Sequence, residues 1–125
     1  MTIEQGNKIL AEYLQLNNWE SDKGTEYINP VLACATTHLA FHESWGWLMQ
    51  VLEKISEEVH PDYFQYCPDS ERVPYEDTAW PRTFGMRDEE GNYMVRFNAC
   101  PLHKGKTLIE AVWLACVDFV LNYKP

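Results

Sequence analysis

The sequence predicts a single α+β domain, a sandwich of about three helices with a small antiparallel sheet. Three observations carry that expectation. Capping boxes open a helix near each end of the chain, an apolar stripe at helical spacing marks a helix between them, and a run of alternating residues follows a glycine-bearing turn. A chain of 125 residues, 46% of them apolar, suits one core and argues against disorder.

Residues 2–16 begin Thr2-Ile3-Glu4-Gln5, in which Thr2 and Gln5 can satisfy each other's backbone amides. Ile3, Ile9, Leu10, Tyr13, Leu14 and Leu16 then supply an apolar face, and Asn17-Asn18 is expected to stop the helix. Residues 24–30, with Tyr27 and Ile28 before Pro30, suit a short strand. Phe41, Trp45, Leu48, Leu52, Ile55 and Val59 step by 4, 3, 4, 3, 4, which is one stripe of a helix, widened by Trp47 and Val51. Thr36 or Thr37 is the expected cap, Ser44 reads as a small residue allowing close packing, and His60-Pro61 ends the helix.

Residues 62–81, rich in proline, carboxylates and aromatics, read as a long connection with one strand at most. A hairpin is expected over residues 83–98, turning at Asp88-Glu89-Glu90-Gly91. Tyr93, Val95 and Phe97 would share its apolar face. Thr107-Leu108-Ile109-Glu110 opens the last helix, expected to reach about Asn122. Only Glu110, Asp118 and Asn122 interrupt its apolar circumference, so it should lie at the centre of the core.

The charge narrows the function classes. Nineteen acidic side chains against ten basic ones give −9, which disfavours a nucleic-acid groove or a polybasic membrane surface. The start is polar, with no signal-peptide h-region, and the longest apolar run, Ala111 to Val117, is too short to cross a bilayer. A cytoplasmic location is expected, with Cys34, Cys67, Cys100 and Cys116 as thiols. The first three stand 33 residues apart, the ankyrin period, but their flanks share nothing else, so the spacing reads as coincidence.

Two stretches resemble a known family. His42-Glu43-Ser44-Trp45-Gly46-Trp47-Leu48-Met49, running into Val51-Leu52-Glu53-Lys54-Ile55, is similar to a His-x-Ser-Trp-x-Trp-Leu-Met element of small phage and prophage proteins. Glu110-Ala111 with Ala115-Cys116-Val117-Asp118-Phe119 resembles their C-terminal helix. The family, the phage ABA sandwich type found in Bacteroidetes phages among others, has no established activity. Gly46 stands where it often has Asp, and Gln50 where it often has Pro. The resemblance implies an α/β sandwich and a cytoplasmic accessory protein of an infected or lysogenic cell.

Several side-chain sets merit testing against blander readings. Cys34, His38 and His42 fall at i, i+4, i+8, one face of a helix beginning that early, and Cys100 with His103 adds a second thiol–imidazole pair. Zinc accepts such ligands, although satisfied core residues would show the same pattern. Gly105-Lys106-Thr107 evokes a phosphate-binding loop, but Cys100 occupies the position of its first glycine and no later acidic strand can follow. What survives is anion binding by Lys104, Lys106 and helix N-terminal amides.

Trp80, Arg82, Arg87 and Arg96 on or beside the hairpin could stack a nucleobase and pair a phosphate, or simply form ion pairs with Asp77, Asp88 or Glu90. Ser44 and His42, two residues apart, would not face each other on a helix. The acidic residues between 62 and 90 suit a solvated surface or a basic partner.

The expected protein is therefore not an enzyme and carries no metal or cofactor. It binds a host or phage protein, or itself as a dimer. The rival expectation is a nucleotide-signal binder using Trp80, Arg82, Arg96, Lys104 and Lys106, and the third is a zinc-binding protein.

Overall fold

Three helices and two three-stranded antiparallel sheets make an α+β fold, seen in a computed structural model that describes residues 1–58, 81–97 and 100–123, with the backbone alone at Pro81 and Arg82. The expected connection at residues 62–80, the end of the middle helix at Val59 and the acidic residues between 62 and 77 lie outside the described residues.

The first helix, α1 (Ile3–Tyr13), starts as its sequence predicts. Thr2 Oγ1 accepts from the Gln5 amide at 3.1 Å, and Gln5 Oε1 accepts from the Thr2 amide at 2.9 Å. It ends three residues early for a backbone reason. Gln15 takes the left-handed conformation (φ 57°), and the amides of Gln15 and Leu16 return to the carbonyls of Glu12 and Ala11. That is a Schellman closure, built on glutamine where glycine is usual, so no glycine announced it.

Beyond it, β1 (Asn18–Ser21) pairs antiparallel with β2 (Gly24–Ile28), and β3 (Ala35–Thr36) pairs with β2 from the other side. The strand expected at 24–30 is present, but its partner β1 occupies the place read as a helix stop. Asp22-Lys23 is the two-residue turn between them, and Ser21 Oγ accepts from the Lys23 amide at 3.1 Å.

The middle helix, α2 (Trp45–Glu57), begins later than the apolar stripe suggested. Ser44, not Thr36 or Thr37, is the cap, its hydroxyl accepting from the Trp47 amide at 3.5 Å. Thr36 instead lies in β3. The buried face is Trp47, Leu48, Val51, Leu52 and Ile55, while Trp45 is left exposed. Phe41 is fully buried from outside the helix, its ring meeting Trp47 edge-on at 5.0 Å between centroids.

The second sheet has the order β4 (Pro81–Arg87), β5 (Tyr93–Phe97), β6 (His103–Gly105). The expected hairpin joins β4 to β5. Asp88 Oδ1 accepts from the amides of Glu90 and Asn92, both at 2.9 Å, and Gly91 supplies the positive φ (84°) that the turn demands. Val95 and Phe97 face inward, fully buried, as the alternation predicts.

The last helix, α3 (Leu108–Asp118), is capped by Thr107 Oγ1, which accepts from the Glu110 amide at 3.2 Å. A π-helical turn, Phe119–Tyr123, continues it. Ala111, Val112, Trp113, Ala115, Cys116 and Val117 are all buried, so α3 is the centre on which α1, α2 and the second sheet converge. Each large apolar side chain buried there contributes roughly 1.5–3 kcal/mol.

A cleft between the first helix, the first sheet and the histidine loop

Among the described residues, the most chemically loaded surface surrounds a side chain that the sequence did not flag. Asn7 lies on the buried face of α1, only 3% exposed, and is the one polar residue in the core among those described. Its Oδ1 accepts from Trp113 Nε1 at 2.8 Å. Its Nδ2 donates to the Leu39 carbonyl and to His42 Nδ1, both at 2.9 Å. The indole can only donate, so the amide is fixed with its oxygen toward Trp113. His42 Nδ1 must then accept, and the neutral ring carries its proton on Nε2.

That ring forms part of a cleft of about 430 Å³. Ile3, Glu4, Asn7 and Lys8 of α1 line one wall, and Lys23, Thr25 and Tyr27 of the β1–β2 hairpin a second. Thr37, His38, Leu39 and His42 complete it from the loop before α2. Four nitrogen-bearing side chains, Lys8, Lys23, His38 and His42, thus converge in a chain whose net charge is −9. Lys8 stands 3.6 Å from Glu4, an exposed pair of little energetic weight. Among the described residues Lys23 has no carboxylate within 4 Å.

A carboxylate buttresses the two histidines from behind. Glu43 Oε1 lies 2.5 Å from His38 Nε2, and Oε2 lies 3.6 Å from His42 Nε2. The two rings meet edge to face at 6.0 Å between centroids. The hydrogen bond to His38 holds the Glu43 carboxyl below its ordinary value, opposed by desolvation and aided by the smaller fields of His42 and His38.

The sequence-predicted sets fare differently. Cys34, His38 and His42 do not share a helical face, because the helix starts only after Ser44; Cys34 is exposed ahead of β3. Among the described residues no three of His, Cys, Asp and Glu meet in a metal-binding group. Asp118 links the predicted pair only indirectly: its Oδ2 lies 2.8 Å from His103 Nε2, and its charge acts on the Cys100 thiol. This resembles a thiol–imidazole–carboxylate arrangement, yet its electrostatics oppose nucleophilic chemistry. Burial first, and then the Asp118 charge, push the Cys100 thiol up to about 11 despite the opposing field of Arg96. A thiol so placed stays protonated at neutral pH and is a poor nucleophile. Burial likewise pushes Cys116 upward.

Of the predicted ligand residues, Trp80 and the side chain of Arg82 lie outside the described residues. Arg96 and Lys104 share the outer face of the second sheet, each with a partner of its own. Arg96 Nε donates to the Cys100 carbonyl at 3.0 Å, and Lys104 Nζ reaches Asp88 Oδ2 at 3.0 Å. Hydrogen bonds from the Asn92 amide and from Lys104 hold Asp88 below its usual range. Lys106 is exposed just before α3. Arg87 lies over the Tyr93 ring, 4.5 Å from its centroid, and donates to its hydroxyl.

No helix among the described residues is long and apolar enough to cross a membrane. Compared with known proteins, the chain matches no family model, no curated protein and no solved structure.

Proposed function

We propose that this protein is a non-enzymatic small-molecule binder whose cleft between α1, the β1–β2 hairpin and the loop before α2 holds an anion. One observation carries the reading: Lys8, Lys23, His38 and His42 converge on a single concave surface of a strongly acidic chain. Cationic side chains with hydroxyls of Thr25 and Thr37 beside them suit charge-assisted hydrogen bonds to phosphate or carboxylate oxygens. The protonated Cys100 thiol supports a role without covalent catalysis. The resemblance to phage accessory proteins supports placing such a binder in the host cytoplasm, where it would sequester a signal.

The test is isothermal titration of the chain with pyrophosphate at low ionic strength. Binding is expected, weakened about tenfold in Lys23→Ala, the worth of one charge-assisted hydrogen bond. No heat at any concentration up to the solubility of the salt would end the anion reading.

A second reading, binding to a host or phage protein or to another copy, is favoured by one patch. Asn29 Oδ1 accepts from the amides of Val31 and Leu32 and fixes a turn on which Leu32 is 72% exposed. Val31, Trp45 and Met49 are exposed too, and a Cβ at Gly46 would stand 3.2 Å from Val31 Cγ2, so this turn lies against the start of α2. Leu32→Glu is expected to abolish any concentration-dependent mass increase in light scattering and any captured partner. Unchanged assembly in that variant would exclude the patch.

A further inference from the structure

A second cleft, of about 390 Å³, opens beside the first, and Ile3 and His42 belong to the walls of both. Its remaining lining is Thr107, Glu110, Trp113 and Leu114, so it is predominantly apolar with a carboxylate at its margin. The two differ in chemistry in a way that one ligand can satisfy. The first lobe offers Lys8, Lys23 and His38, and the second offers an indole, a leucine and an isoleucine for a flat apolar body. Glu110 is exposed, and its carboxylate has no partner among the described residues, its amide alone being engaged by Thr107.

We infer that the two lobes are one site, and that its ligand is a nucleotide lying across Ile3 and His42, phosphate in the cationic lobe and base in the apolar one. The inference rests on the anion reading above and specifies its ligand class. A base gains from the apolar walls by burying its faces, and its ring and exocyclic N–H groups are the donors that an unpaired carboxylate lacks. A fatty acid would fill the apolar lobe but offer Glu110 no donor. A free amino acid carries its charges too close together to use both lobes. His42, its ring held through Nδ1 by Asn7, lines the junction where the sugar would pass.

The decisive measurement is titration of the full chain with AMP, GMP, CMP, UMP, ribose 5-phosphate and inorganic phosphate. At least one nucleotide is expected to bind at least about fivefold tighter than ribose 5-phosphate, the worth of one hydrogen bond with base burial. Glu110→Gln and Leu114→Ala, both confined to the apolar lobe, should narrow that gap while leaving ribose 5-phosphate binding unchanged. A gap below fivefold, or one that both variants leave intact, overturns the two-lobe site while anion binding stands. If inorganic phosphate and every nucleotide fail to bind, the anion reading falls with it.

Discussion

Replacing Asn7 by Ala is expected to cost about 2–4 kcal/mol, because it orphans a buried indole N–H and the Leu39 carbonyl at once. For a domain of this size that corresponds to a loss of about 10 °C in Tm. The methyl group would also leave a small void against Trp113. Differential scanning calorimetry gives the magnitude, and the Trp113 indole proton in an NMR spectrum reports whether its acceptor has gone. Asn7→Asp discriminates the mechanism. The carboxylate can still accept from Trp113 but cannot donate to Leu39, and it forces His42 to protonate on Nδ1 if it is to keep a partner. It should therefore retain the hydrogen-bonded shift of the Trp113 indole proton while losing part of the stability, which Asn7→Ala cannot do. A fall of less than about 2 °C for the alanine variant would show that the amide is not the hub its geometry describes.

Gly6→Ala should be nearly as damaging, although Ala is favoured over Gly inside a helix by about 1 kcal/mol. A Cβ at residue 6 would stand 2.4 Å from Trp113 Cζ2 and 2.6 Å from Cη2, well inside contact. The indole cannot retreat without surrendering its bond to Asn7, one residue along the same helix. Overpacking costs of about 1–3 kcal/mol are usual, and a ring held at both ends belongs at the upper end of that range. The net loss expected from chemical denaturation is about 2 kcal/mol after the helix gain is subtracted. Trp113→Phe removes the atoms in conflict, so the double variant should be more stable than the sum of its parts predicts. Strict additivity would mean that α1 simply shifts away from α3.

Much of this fold was legible in local chemistry. Thr2 with Gln5, Thr107 with Glu110, and Asp88 through Gly91 each specify a boundary through hydrogen bonds within four residues. What misled was what local rules leave open. The stripe from Phe41 to Ile55 keeps helical spacing across a junction where Ser44 starts the helix, because Phe41 reaches the same core from a preceding turn. Gln15 closes α1 in a conformation normally given to glycine. The β1–β2 hairpin did carry a signal, Asp22-Lys23-Gly24 between Trp19 and Tyr27, whose alternation is short and largely exposed.

The candidate site was less legible still, because its parts are tertiary. Lys8, Lys23 and His38 come from a helix, a turn and a loop, and no spacing rule connects them. Sequence reasoning instead chose cationic residues near the hairpin, of which Lys104 and Arg96 turn out to have partners of their own. One clue was present. Asn7 falls between Ile3 and Leu10 on the apolar side of α1, and a polar side chain there needs buried partners.

Those partners lie far along the chain: the bond from Trp113 to Asn7 spans 106 residues. A ribosome delivers α1 long before α3, so during synthesis the buried face of α1 waits with its amide solvated. Closure of this contact is a late event, with the long loop that it must close setting its rate. A nascent chain halted before α3 would expose the apolar faces of both earlier helices, and those faces are where a chaperone would engage it.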